Sequence, residues 1–204
     1  FLGWNPGTTQ EVFSMDELIK EFSLDRINKA GARFDILKAQ WYNQHYLREK
    51  STEELSGFLL DSLQKEGITA PRDTVEKIVT IMRDRVTFPQ DFWLQGRYFF
   101  FPPDSYDQGV IAKRWNAETA KVFAAYRDVI RESSKFDAET AKAVLERVTA
   151  DLNIGTGKVL QALRVVITGV GGGPDLMMIM EIIGKNDVID RIDHALRTLQ
   201  VKIS

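Results

Sequence analysis

Residues 71–86, PRDTVEKIVTIMRDRV, set Val75, Ile78, Val79, Met82 and Val86 at i, i+3, i+4, i+7 and i+11. An α-helix brings that spacing onto one face, and a face so apolar must be buried against a neighbouring element. The period recurs: Val188, Ile189, Ile192, Ala195, Leu196 and Leu199 form a second stripe, and strand-type alternation is nowhere sustained. The fold class this predicts is all-α, a helical bundle or cage. On that reading Arg85, seven residues after Ile78, lies at the edge of the first stripe.

Punctuation residues place the helix ends. Ser14 and Glu17 have capping-box spacing, as do Ser51 and Glu54. Asp35 can open a helix, Gly67 can close one, and Pro71 suits a first turn. Further helices are predicted over 117–133, 138–151, 156–168, 175–183 and 186–199. FLGWNPGTTQ reads as a Gly/Pro entry segment, and FFFPPDSYDQG (99–109) as a turn or linker. A boundary is expected near Asp104, giving segments 1–50, 51–104 and 105–204.

Several function classes are excluded early. Without cysteine there are no disulfides or thiolate metal sites. A net charge of −2 gives no global basic signature of nucleic-acid binding, so such binding would have to use local patches. No apolar run reaches membrane-spanning length. FLGWNPG has neither an initiator methionine nor a basic leader, which suggests a piece of a longer chain. LNIGTGKV fails as a P-loop: Leu152 stands where the first glycine belongs, and Val159 follows Lys158. His45 and His194 lie far apart, outside any metal-ligand spacing, and no nucleophile–base pair is evident.

The remaining puzzle is LQALRVVITGVGGGPDL, where an apolar helix runs into three consecutive glycines and a proline. On helix 156–168, Val159, Ala162, Leu163, Val166 and Ile167 form the face expected to be buried. Lys158, Gln161 and Arg164 recur every third residue on the opposite side. Gly171–Gly173 and Pro174 then let the backbone turn and approach a ligand closely. A cation, an amide and an arginine beside exposed backbone can read bases and phosphates. The alternative is a solvated face followed by an ordinary interhelical turn.

Two blocks resemble the C-terminal part of bacterial-type glutamyl-tRNA synthetases. The first is FLGWNPG…EVFSMDELIKEFSLDRINKAGARFDILKAQWYNQHYL; the second is GKVLQALRVVITGVGGGPDLMMIMEIIGKNDVIDRIDHAL. MRDRVTFPQDF links them more loosely. The resemblance implies the end of a stem-contact region (1–50), followed by two anticodon-binding helical subdomains (51–104 and 105–204). The family's nucleotide-binding motifs have no counterpart here, so this stretch is expected to be non-catalytic and to hold no cofactor. ATP and Mg would serve the full-length ligase, a cytoplasmic monomer charging tRNA(Glu), with neither a membrane nor DNA as partner.

Carried over position by position, Arg85 matches an anticodon-reading arginine. Gln161 and Arg164, with Lys158 beside them, match the last anticodon-contacting helix, and Gly173, Pro174 and Leu176 its following loop. In that loop Leu176 would pack against a base. Lys29, Arg33 and Lys38 are candidate phosphate contacts, or else solvated charges near a turn. Arg85 could instead snorkel or pair with Asp84 or Glu76. Trp41 and Tyr46 are expected to pack rather than to stack on RNA, and the aromatic run 92–101 to form core or domain-interface packing, with the alternative that part of it packs against RNA. The rival reading is a helical protein-interaction module without RNA binding.

Overall fold

The computed structural model describes residues 3–28, 31 and 33–200. Among them the chain is helical, with a single isolated bridge between Trp4 and Ile27. The helices are α1 (Met15–Glu21), α2 (Ile36–Glu49), α3 (Thr52–Lys65), α4 (Arg72–Met82), α5 (Asp91–Gly96), α6 (Gln108–Arg114), α7 (Ala117–Glu132), α8 (Ala138–Asp151), α9 (Thr156–Thr168), α10 (Leu176–Ile183) and α11 (Lys185–Thr198). Short 3₁₀ turns lie at Leu24–Arg26 and Arg97–Phe99.

The predicted caps form. Ser14 and Ser51 each accept from the amide three residues on, and Glu17 and Glu54 reach back to complete both boxes. Asp35, Asn116, Asp137 and Asp175 cap α2, α7, α8 and α10 in the same way. Gly67, at φ +71°, follows α3 in the left-handed region that favours glycine.

α4 is shorter than its stripe predicted. It ends at Met82, and Arg85 sits beyond it in a turn, its amide donating to the Met82 carbonyl at 2.8 Å. The reason lies downstream. Pro89 disfavours helical backbone at Phe88, and the Asp91 carboxylate accepts from the Thr87 and Phe88 amides at 2.9 Å each. Val86 still reaches the core, but from the turn. Two further helices went unpredicted: α5 inside the aromatic run, and α6, which starts at the end of the expected linker and runs past it, capped where Asp107 accepts from the Val110 amide.

One apolar cluster runs from Leu47 to Ala195 and passes to both sides of Asp104. α3 packs on α4 and α11 on α7, and α4 meets α10 across the two halves. Phe92, Tyr98 and Phe99 are buried in this core as expected, whereas Leu94 and Phe101 are exposed. Trp41 and Tyr46 depart from the packing expected of them, at 47% and 43% exposed. α2 buries only Leu47 and is tied to the body chiefly by polar side chains. Gln44 and Arg48 donate to the Asp84 carbonyl and Asn43 to that of Thr87, so α2 buttresses the turn that carries Arg85. Among the described residues no helix is long and apolar enough to cross a membrane, and no metal-ligating cluster forms.

Candidate functional site

α9 ends on Gly169, whose φ of +83° is left-handed. A Cβ there would lie 2.8 Å from the Ser105 carbonyl oxygen and 2.9 Å from Pro103 Cβ. The residue-102–105 strap therefore crosses the helix end in direct contact, and the Asp107 amide donates to the Gly169 carbonyl at 2.9 Å. The apparent linker is thus a docked segment, placed by a glycine that leaves room for it.

Between this strap, the 3₁₀ turn at Arg97–Phe99, the Arg85 turn and the 168–174 loop lies a cavity of about 620 Å³. Arg85, Gln95, Arg97, Tyr98, Asp104 and Ser105 supply polar lining, with Met82, Leu94, Phe101 and Pro102 as apolar wall. Among the described residues no carboxylate lies within ion-pairing distance of Arg85, which is exposed at the mouth. The pairings with Asp84 or Glu76 do not form: Asp84 lies beside Arg48 and Glu76 beside Arg72. The Arg97 guanidinium stands 5.5 Å from the Phe101 ring centroid.

Arg164 stands behind the loop and is half-buried. Its Nη1 donates to the Pro174 carbonyl at 2.7 Å, and a Cβ on Gly173 would come within 3.2 Å of the same nitrogen. Gly173, at φ +148°, is therefore backbone pressed against a guanidinium. Burial pushes the Arg164 pKa down; Tyr98 and Asp175 oppose that shift and Arg85 adds to it. Burial also pushes the Tyr98 phenol up to about 12, against the two arginines, so it is protonated at neutral pH.

The structure thus brings Arg85, Arg164, Gly173 and Pro174 to one place and leaves other candidates elsewhere. Lys158 lines a smaller depression with Lys113 and Arg114 near the start of α9. Gln161 is exposed on α9 outside the cavity lining. Leu176, 3% exposed, belongs to the core, and Pro174 is buried, so contact between Leu176 and a base would require the loop to move. Arg33 is exposed, and Lys38 pairs with Glu11 at 2.6 Å. Lys29 lies outside the described residues. The buried face predicted for α9 is present in full.

Sequence reasoning left Tyr98 undistinguished within the aromatic run and missed the docked strap and Arg191. Arg191 is 4% exposed, and its Nη1 donates to the Tyr98 carbonyl at 2.8 Å and the Ile167 carbonyl at 2.6 Å. It ties the Tyr98 turn to the end of α9. A charged residue between Val188 and Ile192, inside an apolar stripe, was the available signal.

Residues 46–196 match the family described as anticodon binding domain. The whole chain is 42% identical to a glutamate–tRNA ligase of Cytophaga hutchinsonii, and 97% of it is 40% identical to one of Amoebophilus asiaticus. A crystal structure of a glutamate tRNA ligase from Elizabethkingia meningosepticum superposes with a TM-score of 0.88 at 37% identity, over 98% of this chain and 39% of that one. The chain spans about 40% of the length of the curated relatives it matches. With its helical architecture and its match over 46–196, the chain belongs to the anticodon-binding domain family and corresponds to the anticodon-binding region of glutamate–tRNA ligases.

Proposed function

We propose that the 620 Å³ cavity receives nucleotides of the tRNA(Glu) anticodon loop, within a larger ligase that joins glutamate to tRNA(Glu) using ATP and Mg. The carrying observation is Arg85, an arginine without a carboxylate partner at the cavity mouth, on a turn held from behind by Asn43, Gln44 and Arg48. Unpaired bases are recognised by such donors beside apolar walls. The 102–105 strap and the 168–174 loop would close the site from the C-terminal side, so that the cavity lies between two helical subdomains that meet near Asp104.

The test is specificity. Glutamate and glutamine anticodons differ at the third base, C against G. An arginine can donate to O2 and N3 of an unpaired C, whereas G presents N1–H and N2–H donors along that edge. Facing donors with donors costs roughly 1–3 kcal/mol. Arg85→Gln, whose amide both donates and accepts, should narrow the kcat/KM ratio between tRNA(Glu) and tRNA(Gln) by about tenfold in the full-length ligase. An unchanged ratio with intact folding would remove Arg85 as the discriminating group.

Affinity should depend only weakly on salt. The chain carries a net charge of −2, and the cavity lining supplies Arg85 and Arg97 against Asp104. Each neutralised phosphate contributes roughly −0.7 to the log–log salt slope for a single strand. A titration of this chain with tRNA(Glu) should therefore give a slope of about −1 to −2. A slope steeper than about −4 would mean that basic patches outside the cavity dominate binding.

A further inference from the structure

We propose that the Tyr98 hydroxyl is the base-reading partner of Arg85, and that Arg164 is a positioning residue that latches the 169–174 loop instead of reading a base. The inference rests on the anticodon reading of the cavity and divides roles within it.

The geometry separates the two residues. Tyr98 lines the cavity; Arg164 does not. The Tyr98 residue is 8% exposed and its ring packs on Phe99 with centroids 4.7 Å apart. Yet among the described residues its hydroxyl has no hydrogen-bond partner, and unlike the unpartnered Ser56 Oγ it is not fully enclosed. It is therefore a polar tip on a rigid, buried ring, open to the cavity. The ring is held from below, because Arg191 fixes the Tyr98 carbonyl. A hydroxyl so placed loses little freedom on binding, and being protonated at neutral pH it can donate to a base acceptor or accept from an exocyclic amine.

Arg164 is already engaged. Its Nη1 donates to Pro174, and Gly173 passes so close that the loop screens the guanidinium from the cavity. The Thr168 hydroxyl donates to the Arg164 carbonyl and accepts from the Val170 amide, tying the first residues of the loop to the same turn of α9. Redirecting Nη1 to a base would break the Pro174 bond that holds the loop forming the cavity wall. A third-residue polar pattern on α9 cannot distinguish a reader from a latch; the Pro174 bond, together with the absence of Arg164 from the cavity lining, favours the latch.

The experiment uses this chain and three fluorescent RNA hairpins: the tRNA(Glu) anticodon stem–loop, the same hairpin with its third anticodon base changed from C to G, and one with all three anticodon bases replaced. Affinities are read by anisotropy at low salt, and loop opening by amide hydrogen exchange over residues 169–174. Tyr98→Phe keeps the ring and should cost about three- to tenfold in affinity for the cognate hairpin, with little change for the fully replaced loop. Arg164→Met should weaken binding to all three hairpins by a similar factor and speed exchange in the loop. The inference is overturned if the wild type discriminates and Tyr98→Phe discriminates equally well. It is overturned too if Arg164→Met abolishes the C-against-G preference while loop exchange is unchanged. A wild-type chain that binds all three hairpins alike would instead overturn the anticodon reading itself, and this inference with it.

Discussion

Arg191→Leu should lower stability by about 3 kcal/mol, because it leaves two buried carbonyls without their donor. Leucine fills much of the volume and removes the desolvation cost of a buried charge, a cost visible in the downward pull of burial on the arginine's pKa, which Asp187 and Tyr106 only partly oppose. Neither effect satisfies the Tyr98 and Ile167 oxygens, each now bonded at 2.8 Å or less. Arg191→Lys should recover part of the loss, since an ammonium is a point donor without the planar fork of a guanidinium. Urea denaturation reads this as a shift in midpoint at unchanged slope. If the leucine variant matches the wild type, the buried charge costs as much as its bonds return, and Arg191 does not tie the Tyr98 turn to α9.

Gly169→Ala carries the second large effect, also about 3 kcal/mol. Left-handed backbone costs an alanine roughly 1 kcal/mol relative to glycine. The larger share comes from the strap: the Ser105 carbonyl oxygen at 2.8 Å is backbone and cannot rotate away. The strap must lift, with loss of the Asp107–Gly169 hydrogen bond and widening of the cavity. Gly172→Ala is the internal control, since nothing lies within 4 Å of a Cβ there and its φ is not positive. It should change stability by no more than about 0.5 kcal/mol. Equal effects from the two substitutions would mean that the strap is not docked on Gly169.

These two residues mark the limit of what the sequence could reveal. α8 and α9 were readable to the residue because their signals are local: Asp137 caps the first, and Gly155 and Gly169 bracket the second. The run at 99–109 was legible as a chain break from its Pro-Pro and Gly. That it presses on Gly169 depends on residues some sixty positions apart in sequence, which no local pattern encodes. Arg85 shows a different failure. Its stripe continued in spacing past Met82, but Pro89 and the Asp91 carboxylate ended the helix first, so the arginine is held by a turn and not by a helix face. Tyr98 was hidden for want of contrast: within YFFF no spacing separates Tyr98 and Phe101, which line the cavity, from Phe99 and Phe100, which do not. Arg164 was found for its charge, but its role depends on a bond to Pro174 that spacing alone does not predict.

The most direct measurement of the central claim is photocrosslinking with tRNA(Glu) carrying 4-thiouridine at the middle base of the anticodon. A zero-length crosslinker in the cavity should mark peptides containing Arg85, Tyr98 or residues 101–105 and 170–174, and Arg85→Gln together with Tyr98→Phe should reduce the yield. Crosslinks confined to the α7–α11 surface or to the depression around Lys113 and Lys158, with the cavity peptides unmarked, would contradict the account.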